Sequence, residues 1–143
     1  MAKGNVFEND LLKLIFWGTA IGNLADNAAS SPLADLYVAL HTADPGEAGD
    51  QSTSEAAYTG YARVAVPRNS GGWAISGSSV SPVADILFAV IAGAAGGEAT
   101  HASVGTAASG AGKILYRGPI AAPIALALGD APILEAGSAI SED

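Results

Sequence analysis

The sequence predicts a mainly β protein: a single jelly-roll-like β-sandwich over residues 35–143, preceded by an N-terminal α-helix over residues 5–17. Short runs of alternating apolar and polar residues recur along the chain, with Gly, Pro, Asn and Asp turn signals between them. Seven or eight strands of this kind are typical of a sandwich, a barrel or a jelly roll. The length of 143 residues, without a linker or an internal repeat, indicates a single domain over residues 1–143.

The N-terminal helix is predicted from a capping signal and an apolar stripe. Asn5 is followed three residues later by Glu8, which is the spacing of a capping box. Gly18 can supply the left-handed residue that ends the helix. Four apolar residues at helical spacing share one face, namely Phe7, Leu11, Leu14 and Ile15.

Three further apolar residues, Val6, Phe16 and Trp17, lie off that stripe. In one interpretation they cover the end of the sandwich. In the other, the helix contacts its own domain on one side and a partner on the other side. The first interpretation is favoured, and the second remains open.

The strands are predicted from alternation and from the turn residues that separate them. They cover residues 36–41, 61–66, 73–80 with a break at Gly77, 100–106, 113–117, 123–128, 132–135 and 138–141, with an apolar strand or short irregular segment at 86–91. Residues 107–112 are the predicted turn of a hairpin, and Gly129-Asp130 is a predicted tight turn. Residues 18–34 are a predicted connector, and residues 92–99 are a predicted loop.

Composition excludes several classes of partner. The net charge is −8, and the six basic residues are scattered along the chain. Nucleic acids and anionic membranes are bound by clustered positive charge, so neither is expected as a partner. The apolar run at 86–95 is shorter than the roughly 20 residues that span a bilayer. The chain has no cysteine, which excludes disulfides and thiolate metal sites.

The segment 43–55 is acidic, with carboxylates at Asp44, Glu47, Asp50 and Glu55. Oxygen-rich loops can bind calcium, but the spacing matches no EF-hand loop. A solvated hairpin loop is the favoured interpretation. A third possibility is a charged arm that contacts a basic patch on a neighbouring subunit.

No pattern of catalytic or metal-ligating residues stands out. His41 and His101 each lie on a predicted strand without a ligand spacing, so a hydrogen-bonded, half-buried histidine is favoured at both positions. No serine lies in a G-x-S-x-G motif, and no glycine-rich segment matches a phosphate-binding loop. We therefore expect no catalytic residue, metal or cofactor, and we expect that the protein is not an enzyme.

The larger aromatic residues allow two interpretations. Tyr58, Tyr61, Trp73 and Tyr116 could form a platform for a sugar, or they could pack in the core or at an interface. Only 6% of the residues are aromatic, so packing is the favoured use.

Several segments together resemble a group of small virion proteins of tailed phages and prophages. They are FWGTA, LYVALHTADPGEAG, YTGYARVAV, GGW and ASVGTAASGAGKILYRG. The resemblance extends from about Asn5 to Leu134. Members of that group are variously described as tail-fibre-like or as hypothetical proteins, and proteins of similar size and acidity serve as capsid cement or decoration proteins.

The resemblance implies a virion structural protein. The favoured expectation is a capsid cement or decoration subunit on the capsid surface, which bridges major capsid proteins and copies of itself as a homo-oligomer. Many copies engaging at once would compensate for a modest interface per subunit. The alternatives are a tail or tail-fibre-associated protein and a stand-alone carbohydrate-binding module. The candidate contact residues are Leu11, Phe16, Trp17, Asp44, Glu47 and Asp50.

Overall fold

The computed structural model describes residues 3–21, 24–25, 32–93 and 96–141. The chain is mainly β, with antiparallel sheets and one N-terminal helix, as the sequence predicts. Its contacts define two compact units. The first contains the residues up to Asp35, Val66–Asp85 and the residues from Glu135 onward, and the second contains Leu36–Ala65 and Ile86–Leu134. The single domain and the jelly-roll-like sandwich stay predictions.

The strands found among the described residues form three sheets. Their bounds are β1 Asp35–His41, β2 Val64–Pro67, β3 Trp73–Ser76, β4 Ser79–Pro82, β5 Ile86–Leu87, β6 Glu98–Gly105, β7 Ile114–Ala125, β8 Ile133–Leu134 and β9 Ile140–Ser141. The strand orders are β2-β1-β6-β7, β3-β4-β9 and β5-β8. Parts of the predicted connector (22–23 and 26–31) and of the predicted loop at 92–99 (94–95) lie outside the described residues.

The helix of the first unit, α1 (Asn5–Leu12), continues into a π-helical turn at Lys13–Trp17. Gly18 ends it with a left-handed φ of 68°, which confirms that prediction. The predicted capping box is wrong. Gly4 is the N-cap, so Glu8 lies one residue too far along the helix for the reciprocal contact. The amide of Glu8 donates to the carbonyl of Gly4 instead.

The buried face of this helix differs from the predicted stripe. Glu8, Leu12 and Phe16, spaced by four residues, are the buried positions. The predicted stripe lies to one side: Phe7 is exposed, and Leu11, Leu14 and Ile15 are half-buried. The prediction that the most apolar stripe is the buried face is therefore wrong, because a glutamate occupies one position of the buried face.

The helix packs against the hairpin of β3 and β4 in the same unit. The ring of Phe16 meets the ring of Trp73 edge-on, with centroids 4.7 Å apart. The Asn9 amide donates to the carbonyl of Gly77, which has a φ of 60° and turns the hairpin. A two-residue turn with a glycine at positive φ suits the twist of paired strands.

Arg68 donates hydrogen bonds to the last carbonyl groups of the helix. A π-helical turn disturbs the regular ladder, and the last carbonyls of any helix need partners from outside it. The guanidinium of Arg68 donates to the carbonyl oxygens of Leu14 and Ile15. The amide of Arg68 donates to the carbonyl of Ala34 at 2.8 Å.

In the second unit, β1, β6 and β7 form an antiparallel array. Leu40 lies opposite Ala102, and Val104 lies opposite Tyr116. The predicted hairpin of residues 100–117 is confirmed, although β7 runs on to Ala125.

Three strand predictions are wrong or too long. The single strand predicted over 73–80 with a break at Gly77 is two strands, β3 and β4, which pair as a hairpin. The strands expected on either side of Gly129-Asp130 do not pair with each other, because Ile133 pairs with Leu87 of β5. The strand predicted at 61–66 begins only at Val64.

No helix within the described ranges is long and apolar enough to cross a membrane.

Candidate functional site

Two loops of the second unit lie together at the end of its sheet. The acidic loop (residues 42–55) follows β1, and the hairpin loop (residues 106–113) joins β6 to β7. The amide of Gln51 donates to the carbonyl of Gly112 at 2.8 Å, which joins the two loops directly. The amide of Thr42 donates to the carbonyl of Ser54 at 2.8 Å, which closes the base of the acidic loop. We call the exposed parts of both loops the loop surface.

His41 fixes the acidic loop to β6 at its base. Its ring has no accessible surface. Nδ1 lies 2.8 Å from the carbonyl oxygen of Thr53, and Nε2 lies 2.8 Å from Oγ of Ser103. A carbonyl can only accept, so Nδ1 carries the proton and the Ser103 hydroxyl donates to Nε2. Burial lowers the pKa of His41, which favours this neutral ring.

Gln51 occupies a slot lined by glycine. Its side chain is fully buried, donates to the carbonyl of Tyr37 at 3.0 Å and accepts from the amide of Ala107 at 3.1 Å. A β-carbon on Gly105 would lie 2.1 Å from the Gln51 amide carbon, and one on Gly112 would lie 2.2 Å from its oxygen. Both glycines are therefore required by the position of this one side chain.

Arg63 joins the return limb of the acidic loop to the hairpin loop. Its Nε and one terminal nitrogen donate to the two carboxylate oxygens of Glu55, at 2.7 and 2.8 Å. The guanidinium also donates to the carbonyls of Ala107 at 2.9 Å and Gly110 at 2.7 Å. The hydrogen bonds that Arg63 donates to Glu55 raise the pKa of Arg63, so the guanidinium stays charged. Planar, forked donors make this set of contacts specific to arginine.

Tyr61 extends the network to β1. Its hydroxyl donates to the Glu55 carboxylate at 3.0 Å and accepts from the amide of Leu40 at 3.0 Å. Burial raises the pKa of Tyr61, so the phenol remains a donor. Its ring stacks on Phe88, with centroids 6.3 Å apart. The backbone amide of Tyr61 donates to the carbonyl of Tyr58 at 3.0 Å, which is a turn and not a strand contact, and β2 begins later, at Val64.

Two of the three predicted acidic contact residues help to build the acidic loop. Asp44 accepts from the amide of Gly46 at 2.9 Å and from Arg117 of β7. Asp50 accepts from the hydroxyl and the amide of Ser52. The amide of Gly46 lowers the pKa of Asp44, and the hydroxyl of Ser52 lowers the pKa of Asp50. Glu47 is exposed at the tip of the loop.

The other three predicted contact residues lie in the first unit. Leu11 is half-buried, and Trp17 donates from its indole to the carbonyl of Trp73 at 3.0 Å. Phe16 has no accessible surface, so we remove it from the contact set. Contact with a partner stays a prediction for the remaining residues.

Sequence reasoning missed four exposed apolar residues of the second unit, namely Leu87, Val90, Leu128 and Ile133. Leu87 and Ile133 lie opposite each other in β5 and β8. Ile86 and Phe88 are buried, so strand alternation alone points Leu87 outward and could have identified it. Exposed apolar residues that adjoin, as Leu87 and Ile133 do, can form part of a protein contact.

The aromatic residues pack inside the two units, which confirms the favoured interpretation for most of them. Trp73 and Tyr58 are buried, and Tyr58 meets Tyr61 edge-on with centroids 5.3 Å apart. A buried Trp73 cannot form part of an exposed sugar platform. Tyr116 is half-buried on β7.

The histidine predictions also agree with the structure, since His41 is buried and bonded and His101 is half-buried beside the Thr100 hydroxyl. The distance between His41 and Ser103 is that of a base and a nucleophile. Both side chains are buried, however, and the Ser103 hydroxyl donates to the ring that holds the acidic loop. Within the described ranges, no three His, Asp or Glu side chains are grouped so that they could hold a metal ion.

Comparison with known proteins places the chain in a family. No curated protein matches it. Residues 2–141 match the family Gp80, described as Podophage GP4 fiber I protein gp80. The match covers both units and both loops. The chain is therefore a phage virion structural protein and belongs to the gp80 family.

Proposed function

We propose that this protein is a tail-fibre-associated component of the virion. The family match over residues 2–141 carries the proposal, because the description of that family names a fibre protein. The capsid cement role, which the sequence favoured, has no comparable support. The fibre alternative is therefore the better one.

We further propose that the protein works by binding its neighbours in the virion and does not catalyse a reaction. The loop surface is the proposed contact. Its backbone is fixed by buried side chains, His41, Gln51 and Arg63. A surface that is ordered in advance loses little conformational entropy on binding, so its contacts contribute more to affinity.

The proposed partners are copies of this chain and other virion proteins with basic groups at the contact. Glu47 is exposed at the tip of the acidic loop, while Asp44 and Asp50 are used in the turns of that loop. Charge complementarity across an interface steers association and disfavours wrong partners. Glu47 is therefore the carboxylate that reports the contact without disturbing the loop.

Antibody labelling of intact virions in the electron microscope tests the position. We expect label along the tail fibres. Label spread over the head would overturn the proposal and restore the cement role.

The variant Glu47→Lys tests the contact surface. We expect reduced incorporation into virions, with unchanged thermal unfolding of the isolated protein. The matched control is Glu98→Lys, which makes the same charge reversal at an exposed position of β6 away from both loops. Equal incorporation of the two variants would remove the acidic loop from the contact. Replacing residues 44–50 by a short Gly-Ser turn gives the stronger form of the same test.

A further inference from the structure

The ring of His41 joins three segments of the second unit. His41 ends β1, its Nδ1 donates to Thr53 on the return limb of the acidic loop, and its Nε2 accepts from Ser103 on β6. The ring is fully buried and Ser103 is 2% exposed. The acidic loop therefore docks onto a neutral imidazole in one defined tautomer.

We propose that His41 makes docking of the acidic loop sensitive to acid: the neutral ring holds the loop against β1 and β6, and protonation of the ring releases it. The inference goes beyond the proposed fibre role and does not depend on it. It would make the loop surface a structure that is ordered at neutral pH and loosened in mild acid.

Protonation disturbs the contact because of what surrounds Nε2. A proton on Nε2 would point at the Ser103 oxygen, 2.8 Å away, so the hydroxyl would have to turn and lose the acceptor for its own proton. The resulting cation would lie in a site without accessible surface. A buried polar or charged group that loses its partner is costly.

The charged and titratable neighbours do not offset this cost. Arg63, from the segment before β2, and His101, opposite His41 on β6, both disfavour a second positive charge. Glu55, on the acidic loop, favours it. However, both carboxylate oxygens of Glu55 already accept from Arg63, and one also accepts from Tyr61.

The direction of the pH effect follows from linkage. The docked ring has a pKa below its ordinary 6.5, chiefly because it is buried, while the ring of a released loop has the ordinary value. The released form therefore binds protons more readily between the two values. The contribution of His41 to docking is fully present above pH 6.5, and it falls as the pH drops from 6.5 through the lowered pKa.

The carboxylates of the acidic loop titrate in a lower pH range than His41. The pKa values of Asp44 and Asp50 are also lowered, from an ordinary 3.8, so their ionised forms stabilise the loop above that value and lose this effect only in stronger acid. A change between pH 6.5 and pH 4.5 thus separates the histidine from these two aspartates.

Two measurements on the full chain test the inference. The ring nitrogen shifts of His41, followed by NMR between pH 7.5 and pH 4.5, report its tautomer and its titration. Amide hydrogen exchange of residues 42–56, corrected for the intrinsic effect of pH, reports docking. We expect a neutral ring with the proton on Nδ1 at pH 7.5, a midpoint below 6.5, and exchange of the loop at least fivefold faster at the acid end. The β3–β4 hairpin should show no such change.

The variant His41→Asn removes the titrating group and keeps a short amide that can donate to Thr53. In this variant the acid-dependent increase in loop exchange should disappear. His101→Gln is the matched control and should retain it. A midpoint at or above 6.5 in the unmodified protein, titration without faster loop exchange, or the same acid response in His41→Asn would each overturn the inference. If His41→Asn fails to fold, the two measurements on the unmodified chain decide.

Discussion

At the scale of single residues, the loop surface depends on side chains that lie beneath it. Arg63 shows this most clearly, since its side chain is 1% exposed and contacts Glu55 and two carbonyls of the hairpin loop. Arg117 makes the contrasting contact, an ion pair with the exposed Asp44. The two arginines therefore allow a matched comparison between a partly buried pair and an exposed pair.

The substitution Arg63→Met should lower the free energy of unfolding by about 1–3 kcal/mol, because it removes the charged donor to the half-buried Glu55 and to two carbonyls of the hairpin loop. Arg117→Met, the control, should change it little, because exposed pairs contribute little. Urea unfolding of both variants measures the difference. Similar losses in the two variants would show that the Arg63 network does not hold the loops.

Gly105 tests the slot around Gln51. Gly105→Ala should lower the free energy of unfolding by about 1–3 kcal/mol, because the new methyl group overlaps the Gln51 side chain. Gly118→Ala on β7 is the control, since a methyl group there meets nothing within 4 Å.

The variant carrying both Gly105→Ala and Gln51→Ala should lose less stability than the sum of the single variants, since the overlap is then gone. Strict additivity would mean that Gln51 does not determine the need for glycine at position 105.

At the scale of elements, the sequence predicts those helices, strands and turns whose signals lie in the neighbouring residues of the chain. The alternation of 36–41 and the turn residues at 107–112 identify β1 and the β6–β7 hairpin, because both signals lie within a few residues of the element. The pairing of β8 with β5 is missed, because it joins segments more than forty residues apart along the chain. The Arg63 and Gln51 contacts are missed for the same reason, since no local pattern indicates which distant carbonyl a buried side chain meets.

The helix shows the other limit of local reasoning. Its existence and its end at Gly18 follow from the sequence, but its start at Gly4 and its buried face do not. Local signals favour Asn5 as the cap and the most apolar stripe as the core face. Packing against the β3–β4 hairpin instead selects Leu12 and Phe16, with Glu8 on the same face.

Arg68→Met tests the end of this helix. The variant leaves the carbonyls of Leu14 and Ile15 without their charged donor, so we expect a loss of about 1–3 kcal/mol and faster amide exchange at residues 13–19. The aliphatic part of the side chain is retained, and Arg117→Met again serves as the control. Unchanged exchange at the helix end would show that Arg68 is not its cap.

At the scale of the whole molecule, net charge and family membership bear on the position of the protein in the virion. Its net charge of −8 predicts that it stays in solution before assembly and does not bind DNA. Family membership makes it a virion structural protein, and the description of the family favours the fibre. Size and acidity alone favoured the capsid, because these properties are shared by many small virion proteins and carry no information about position.

The most direct test is the quantitative protein composition of purified virions after heads have been separated from tails and fibres. We expect this chain in the fraction that contains the fibres, at tens of copies per virion or fewer, and its absence from the heads. Hundreds of copies that remain with the heads would contradict the fibre assignment and identify a capsid cement or decoration protein.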